Sequence, residues 1–395
     1  MTAGPHPTSA VRTRKRPANR RDVILAAAAR IFAESGFHAT HLSAIADAAG
    51  ISTPALYRHF SGKYELFAAA LIELASDLTA AADEAPQQTD PALELATVVR
   101  ALTSVALDNR EAGNIYRREP GLLHGEDRIR LAALSRRTRA RLSTPLRTLR
   151  PELSDHAVGT LVTATLSVAA SPVTHRVALA RKAAVDVLSE AADSVLRVTL
   201  PEPGPSETAP GLAPLGKREG ILTESIRLFA EHSFHEVTLE QIGAAAGLPP
   251  SGVYRHFPSK HAILSAAMWR ASERTTAAIT DGLSRATTPA EALVALAARY
   301  SALCVEDPEI MTVYLRETTV LEAAELRSLR LQQRRNVDEW ATWLQRARPE
   351  VASAAARFLV HAALNVATDL AIGYRGIDAK TVGAIVAAVL LPEPA

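Results

Sequence analysis

The chain reads GFHATHLSAIADAAGISTPALYRHFSGK from residue 36 to residue 63. Two short segments with apolar residues are separated here by Ala49 and Gly50, and Ser52 is placed to cap the second segment as a helix. A glycine in the turn adopts a positive φ at no steric cost, which allows two short helices to cross at a steep angle. The stretch therefore predicts a helix-turn-helix.

The same stretch occurs a second time in the chain. With a shift of 197, residues 21–71 align with residues 218–268 without a gap, and 21 of the 51 positions are identical. The identical positions include Tyr-Arg-His-Phe at 57–60 and 254–257. With a shift of 198 the match resumes further along and reaches residue 350. Repetition over this distance predicts that the whole structural unit is duplicated.

The composition is that of a folded chain with more than one domain. Its 395 residues suffice for two or three domains, and 48% hydrophobic with 22% charged residues suits buried cores under a charged surface. The single cysteine, Cys304, excludes an intramolecular disulfide, so we expect a core thiol in a reducing cytoplasm. The weakly apolar run from His156 to His175 contains Pro172 and many small residues, so we predict no membrane span.

Charge is distributed unevenly along the chain. The net charge of +2 does not by itself indicate nucleic acid, but residues 12–21 carry six basic side chains and no acid. This stretch lacks the apolar core of a signal peptide. We interpret it as a basic arm that contacts phosphates or the minor groove, rather than as a solvated tail. The arm residues assigned to DNA are Arg14, Lys15 and Arg16.

Every periodic segment has helical spacing. Ile24, Ala28 and Phe32 share one helix face, and the second copy repeats this spacing from Ile221. The fold class is therefore all-α, with two tandem units that each join a small three-helix domain to a larger helical domain. In the larger domain of the first unit, helices are predicted at about 63–83, 91–110, 128–149, 155–176 and 181–198.

Proline and glycine mark the boundary between the units. Residues 199–216 read TLPEPGPSETAPGLAPLG, which cannot sustain a helix and is interpreted as a linker. The predicted organisation is a basic arm (1–18), a first helix-turn-helix domain (19–66), a first helical regulatory domain (67–198), the linker (199–216), a second helix-turn-helix domain (217–263) and a second regulatory domain (264–395).

Both units resemble the TetR family of bacterial one-component transcriptional regulators. The residues that carry the resemblance in the first unit are Gly36-Phe37, Ile45-Ala46, Ala49-Gly50, Leu56 to Phe60 and Lys63, and most of them recur in the second unit. The resemblance implies that the second helix of each motif enters the major groove of a double-stranded DNA operator. It also implies that the larger domains bind a small apolar or amphipathic effector.

The resemblance assigns DNA contacts residue by residue. The positions implied to touch phosphates are Tyr57, His59, Lys63, Tyr254, His256 and Lys260, and these side chains can donate to phosphate oxygens. Base identity is expected from the first turn and exposed face of each recognition helix, at Thr53, Pro54, Ala55 and Arg58 and at Pro250, Ser251, Gly252 and Arg255. Residues at the motif's helix starts complete the predicted interface, namely Thr40, Ser52 and Thr238.

The second unit departs from the family pattern. Ser233 replaces the helix-ending glycine, Pro249 replaces the serine cap, and no basic run precedes the motif, so we expect its DNA contact to be weaker. Two features compensate. Pro250 falls at the first position of the recognition helix, where its missing N–H costs nothing, and Thr238 with Gln241 predicts a capping box.

Other functional classes find less support in the residues. The repeated Tyr-x-Arg-Glu could line a ligand pocket through Tyr116, Arg118, Tyr314 and Arg316, although an ion pair that packs helices together is the more common role. His38 and His41 have metal-like spacing but no partner ligands, so no metal site and no cofactor is predicted. No convergent catalytic constellation is present, and an enzyme is not expected.

We predict a ligand-responsive repressor, with an architectural or ligand-independent DNA-binding protein as the alternative. Family members resemble homodimers joined by their last two helices. The equivalent segments here are about 155–198 and 351–391, and the linker would reach roughly 55 Å when extended. One chain is therefore expected to form a monomeric pseudo-dimer, and a homodimer of chains remains the rival assembly.

Overall fold

The computed structural model describes residues 20–201, 216–374 and 376–392, and these ranges contain helices but no β-strand. The predicted all-α fold is confirmed. The predicted basic arm, with Arg14, Lys15 and Arg16, and residues 202–215 of the predicted linker lie outside the described residues.

Residues 20–201, the first unit, form α1 (Arg20–Ala39), α2 (Leu42–Ala48), α3 (Thr53–Tyr57), α4 (Lys63–Glu84), α5 (Pro91–Asp108), α6 (Arg110–Arg118), α7 (Gly125–Leu149), α8 (Asp155–Ala170) and α9 (Arg181–Arg197). Residues 216–392, the second unit, form α10 (Lys217–Glu236), α11 (Leu239–Ala245), α12 (Pro250–Tyr254), α13 (Lys260–Leu283), α14 (Pro289–Glu306), α15 (Pro308–Arg316), α16 (Ala323–Ala347), α17 (Ser353–Gly373) and α18 (Ala379–Leu390). Short 3₁₀ turns occur at Pro120–Leu122, Ser171–Thr174 and Thr318–Val320.

The helices predicted for the larger domain of the first unit are present in the structure, with two differences. The helix expected over 91–110 ends at Asp108, and a separate helix, α6, starts at Arg110. The helix expected to reach residue 176 ends at Ala170 and continues as a 3₁₀ turn, because Pro172 cannot donate a helical hydrogen bond.

Each helix-turn-helix packs on the long helix that follows it. In the first unit the apolar side chains of α1, α2 and α3 meet those of α4 in a core cluster that also includes Ile115 of α6 and Leu131 of α7. The largest contributors are Ile24, Phe32, Ile45, Leu56, Phe60 and Phe67. The matching positions of the second unit are also buried, at Ile221, Phe229, Ile242, Val253, Phe257 and Leu264.

The two units are packed against each other through their last two helices. Helix α17 lies on α8 and α9, and α18 lies on α9. Buried side chains from both units belong to one continuous apolar core, which includes Val162 and Leu188 of the first unit and Val366 and Val386 of the second. Burial of this apolar surface is the main force that holds the units together.

Polar side chains also join the units. Arg117 pairs with Asp369, with 2.6 Å between Nη2 and Oδ1. The hydroxyl of Tyr374 donates to the carbonyl of Gly159 at 2.7 Å. The rings of His175 and His361 stack with centroids 4.3 Å apart. Burial lowers the pKa of His361 to about 4. The ring is therefore uncharged at neutral pH and does not repel His175 through a positive charge.

Two helical segments are long and apolar enough to cross a membrane by length and composition alone, Asp155–Thr174 and Ser353–Gly373. Most of each segment is buried inside the structure, 67% and 72% respectively, and core helices of this kind pass the same test. Their apolar character is accounted for by the contact between the two units.

The first helix of each unit contains a residue in a glycine-type conformation. Gly36 has φ 75° and ψ 166°, and Ser233 at the equivalent place has φ 69° and ψ 158°. Among the described residues Ser233 is the only non-glycine with a positive φ. Its hydroxyl is buried and has no hydrogen-bond partner. The departure noted at Ser233 therefore stores strain in the second unit.

Replacing Ser233 by Gly is expected to raise the free energy of unfolding by about 1–2 kcal/mol, because it removes a backbone conformation that costs about 1–3 kcal/mol in non-glycine residues. Urea denaturation measures the change. Gly36→Ser is the matched control and should destabilise, since a Cβ there would also meet Thr319 Oγ1 at 2.9 Å. Equal or lower stability of Ser233→Gly would show that the strain is not real.

Candidate nucleic-acid interface and ligand cavity

Both motifs have the turn and caps that the sequence predicts. Gly50 and Gly247 each have φ +66° in the turn between the two short helices. Ser52 Oγ accepts a hydrogen bond from the N–H of Ala55, at 3.3 Å, and Pro250 is the first residue of α12. The predicted capping box is confirmed as well, because Thr238 and Gln241 exchange their two hydrogen bonds. The recognition helices are thus set by local interactions.

Each recognition helix is anchored by its apolar side and presents its polar side outward. Leu56 and Val253 are completely buried, whereas Tyr57 is 53% exposed and Tyr254 is 56% exposed. The predicted contact residues that are exposed are Ser52, Pro54, Tyr57, Arg58, His59, Thr238, Pro250, Ser251, Tyr254 and Arg255, and those that are half-buried are Thr53, Ala55, Gly252, His256, Lys63 and Lys260. The exposed side chains form the outer surface of each recognition helix.

Unpaired positive charge lies on this surface. Within the described parts of the chain, no carboxylate lies within 4.0 Å of the guanidinium groups of Arg58 or Arg255. Acidic residues that could pair with them are few, Asp47 in the first motif and Glu236 and Glu240 in the second. These two guanidinium groups are available to a base edge or a phosphate.

Thr40 differs from the other predicted contact residues because it is buried. Only 3% of its surface is exposed, and its hydroxyl donates to the carbonyl of Gly36 at 2.7 Å. It does not cap α2 either, because the N-cap of α2 is His41, whereas the N-cap of α11 is the exposed Thr238. In the alignment of the two copies Thr40 corresponds to Val237, which is also buried, whereas Thr238 corresponds to His41.

The two lysines have a second role that the sequence did not indicate. Lys63 Nζ donates to the carbonyls of His38 and Thr40, both at 3.1 Å, and Lys260 Nζ donates to those of Phe234 and Val237 at 2.7 Å. Burial lowers the pKa of each lysine. Each ammonium group thus satisfies the carbonyl end of the first helix and has one donor left.

A polar attachment point joins the helix-turn-helix domain of each unit to the larger domain, beside the packing of α1 on α6 and of α10 on α15. The N–H of Phe37 donates to Glu119 at 3.3 Å, and the N–H of Phe234 donates to Glu317 at 3.0 Å. Burial raises the pKa of both carboxyl groups. Each glutamate follows the short helix α6 or α15, so a shift of that helix would act directly on the DNA-facing domain.

Arg118 and Arg316, predicted as candidate ligand residues, lie at this attachment point. Arg118 Nη2 crosses between the units and donates to the carbonyl of Arg316 at 2.9 Å and to Thr319 Oγ1 at 3.0 Å. Both arginines line a cavity of about 160 Å³ between the two helix-turn-helix domains. These hydrogen bonds hold the helices together, but the helix-packing ion pair considered from the sequence is not formed, since within the described residues no carboxylate oxygen lies within 4.0 Å of either guanidinium group.

Tyr116 lines a separate and larger cavity in the first unit. Its volume is about 360 Å³, and α4, α5, α6, α7 and α8 surround it. The wall is mostly apolar and includes Leu74, Leu102, Leu166 and Val173. Its polar groups include Arg117, Ser135, Thr138, Arg139 and Asp369, the last of which comes from the second unit. An apolar cavity with a few convergent polar groups is typical of a small-molecule site.

The equivalent cavity of the second unit is nearly filled, with about 50 Å³ remaining. Tyr300 stands where the first unit has Leu102, Met311 stands where it has Gly113, and Gln333 stands where it has Ser135. Tyr314, the counterpart of Tyr116, lines what is left, and burial raises its pKa to about 12. Larger side chains at matched positions therefore close the second cavity.

Comparisons with known proteins agree with the duplicated motif. The family described as "Bacterial regulatory proteins, tetR family" matches residues 24–70 and again residues 221–267. The transcriptional activator FasR of Mycolicibacterium smegmatis is 50% identical over 52 residues, which are 13% of this chain and 24% of that protein. The transcriptional repressor KstR2 of the same organism is 46% identical over 54 residues, 14% of this chain and 26% of that protein.

These matches span about a quarter of the length of the curated relatives. Among solved structures, the TetR family regulator PfmR of Thermus thermophilus is 27% identical and has a TM-score of 0.41. The match covers 47% of this chain and 100% of PfmR.

Proposed function

We propose that this chain, which carries two TetR-family domains in tandem, is a ligand-responsive repressor of transcription that binds one operator with both of its motifs. One observation carries the proposal. Two recognition helices with exposed Tyr-Arg faces, at 57–58 and 254–255, belong to units that pack together through an apolar core. Exposed tyrosines and unpaired arginines suit phosphates and base edges, which fix register and sequence preference.

The two units act as the two halves of a pseudo-dimer in this proposal. The contact of α8 and α9 with α17 and α18, together with the Arg117–Asp369 pair, supports a fixed arrangement of the recognition helices. Paired recognition helices reach successive major grooves about 34–36 Å apart. Because Pro54 and Ala55 correspond to Ser251 and Gly252, the two half-sites need not have the same sequence.

Effector control is proposed to start in the cavity of the first unit. Its wall includes Gly113 and Tyr116 of α6, and the end of α6 is held to the first motif by the bond from Phe37 to Glu119. A ligand that binds more tightly when α6 is in one position than in another would change the spacing of the recognition helices and weaken DNA binding. The loss of DNA-binding free energy cannot exceed the difference in the ligand's binding free energy between the two positions. The protein would work in the cytoplasm, as regulators of this kind do.

Selection of random DNA by the full chain tests the proposal. We expect one enriched site with two half-sites about one helical turn apart and with different or only partly matching sequences. Binding should weaken steeply with salt, as phosphate contacts require. Enrichment of a perfect palindrome would contradict unequal half-sites. DNA binding without sequence preference would favour the architectural alternative.

A further inference from the structure

The polar end of the first unit's cavity has an excess of positive charge. Arg117 and Arg139 both line it, and Asp369 is the carboxylate there. Asp369 is already satisfied, because it accepts from Arg117 Nη2 at 2.6 Å and from Ser167 Oγ at 2.8 Å. One guanidinium group is thus left without a counter-charge inside a mostly apolar cavity.

Arg139 is that group. Its Nη2 donates to the hydroxyl of Thr163 and, at 3.2 Å, to the hydroxyl of Tyr374 in the second unit. Within the described ranges, no carboxylate lies within 4.0 Å of it, although six other arginines of the first unit between Arg100 and Arg150 pair with acids. Two neutral hydroxyls fix the position of the guanidinium group and leave its other N–H groups for a ligand.

The size of the cavity sets the length of the ligand. A dry cavity of about 150 Å³ holds benzene, which has six heavy atoms, so one of about 360 Å³ has room for roughly 14. Decanoic acid has 12. The apolar wall suits an alkyl chain, and a planar guanidinium group suits a carboxylate through two parallel hydrogen bonds.

We propose that the cavity binds one apolar carboxylic acid per chain, with the acid group on Arg139 and the chain among Leu74, Leu102 and Leu166. This inference rests on the proposed function, since it names the chemical class of that effector. Because Arg139 contacts Tyr374, the acid group would also lie at the boundary between the units. Because the equivalent cavity of the second unit is nearly filled, we expect only one molecule to bind per chain.

Calorimetric titration without DNA tests the inference, with decanoic acid, 1-decanol and decylamine as probes. We expect decanoic acid to bind at one molecule per chain and about 10–100-fold more tightly than the alcohol, as a charge-assisted hydrogen bond provides. Decylamine should bind more weakly than either. Arg139→Gln should remove the preference for the acid, and Arg139→Lys should retain part of it.

Arg136→Gln is the matched control, because this exposed arginine lies three residues earlier on the same helix, outside the cavity. It should leave the affinity for decanoic acid unchanged. Equal binding of acid and alcohol, tighter binding of the amine, no binding of decanoic acid, or an Arg139→Gln variant that still prefers the acid would each overturn the inference. Failure of the proposed function would appear elsewhere, as DNA binding that no ligand alters.

Discussion

Operator affinity is expected to fall by about 30- to 1,000-fold when Tyr57 and Arg58 are both replaced by Ala. The tyrosine hydroxyl is assigned to a phosphate, and a bidentate arginine contact with a base is worth about 1–3 kcal/mol, so the combined loss is roughly 2–4 kcal/mol. Gel-shift titration at fixed salt measures it. The same pair of changes at Tyr254 and Arg255 should cost less, because no basic run precedes the second motif.

Arg346→Ala is a suitable control for this experiment. Arg346 is exposed and lies near the C-terminal end of α16. The N-terminal end of α16 is the end close to the second motif, because Glu325 contacts Ser265 near the start of α13. Twenty-one residues of helix separate the two positions by about 30 Å. Operator binding should be unaffected by this change. If the Tyr57/Arg58 variant bound the operator as tightly as the unchanged chain, the recognition helix would be assigned wrongly.

Filling the first cavity is expected to abolish ligand binding and with it the response of DNA binding to ligand. Leu102→Tyr places in the first unit the side chain that the second unit has as Tyr300. The added ring would occupy the space of the ligand, so affinity for 1-decanol and decanoic acid should fall at least 100-fold. Calorimetry measures the loss, and thermal unfolding checks that the variant remains folded.

Leu93→Tyr is the control for the cavity, because Leu93 lies on the same helix and is 51% exposed. It should bind both probes like the unchanged chain. Operator affinity in the absence of ligand should be the same for both variants. A Leu102→Tyr variant that still bound one probe molecule per chain would place the ligand site elsewhere.

The fold could be predicted from the sequence because its determinants are local. The Ser52 cap, the glycines of the turns and the apolar spacing of α1 act within a few residues of one another, and duplication displayed each of them twice. The capping box of Thr238 and Gln241 could be predicted for the same reason, because it too is a local interaction. The break between α5 and α6 was missed because Arg110 to Arg118 contains few apolar residues, and contacts with α1 and α4 stabilise it as a separate helix.

The cavity could not be predicted because it depends on the sum of side-chain volumes. Leu102, Gly113 and Ser135 leave a space that Tyr300, Met311 and Gln333 fill, yet these residues lie on three different helices. The capping role of Lys63 was hidden for a similar reason, since its partners are backbone carbonyls 23 and 25 residues away. Such contacts follow from the tertiary arrangement and not from a motif.

The mass of the chain in solution, alone and with its minimal operator, tests most directly whether one chain provides both halves of the DNA-binding unit. Light scattering after size-exclusion chromatography gives both values. The account predicts a free mass near 42.1 kDa and a complex with one chain per operator. A stable free dimer that places two chains on each minimal site would contradict it.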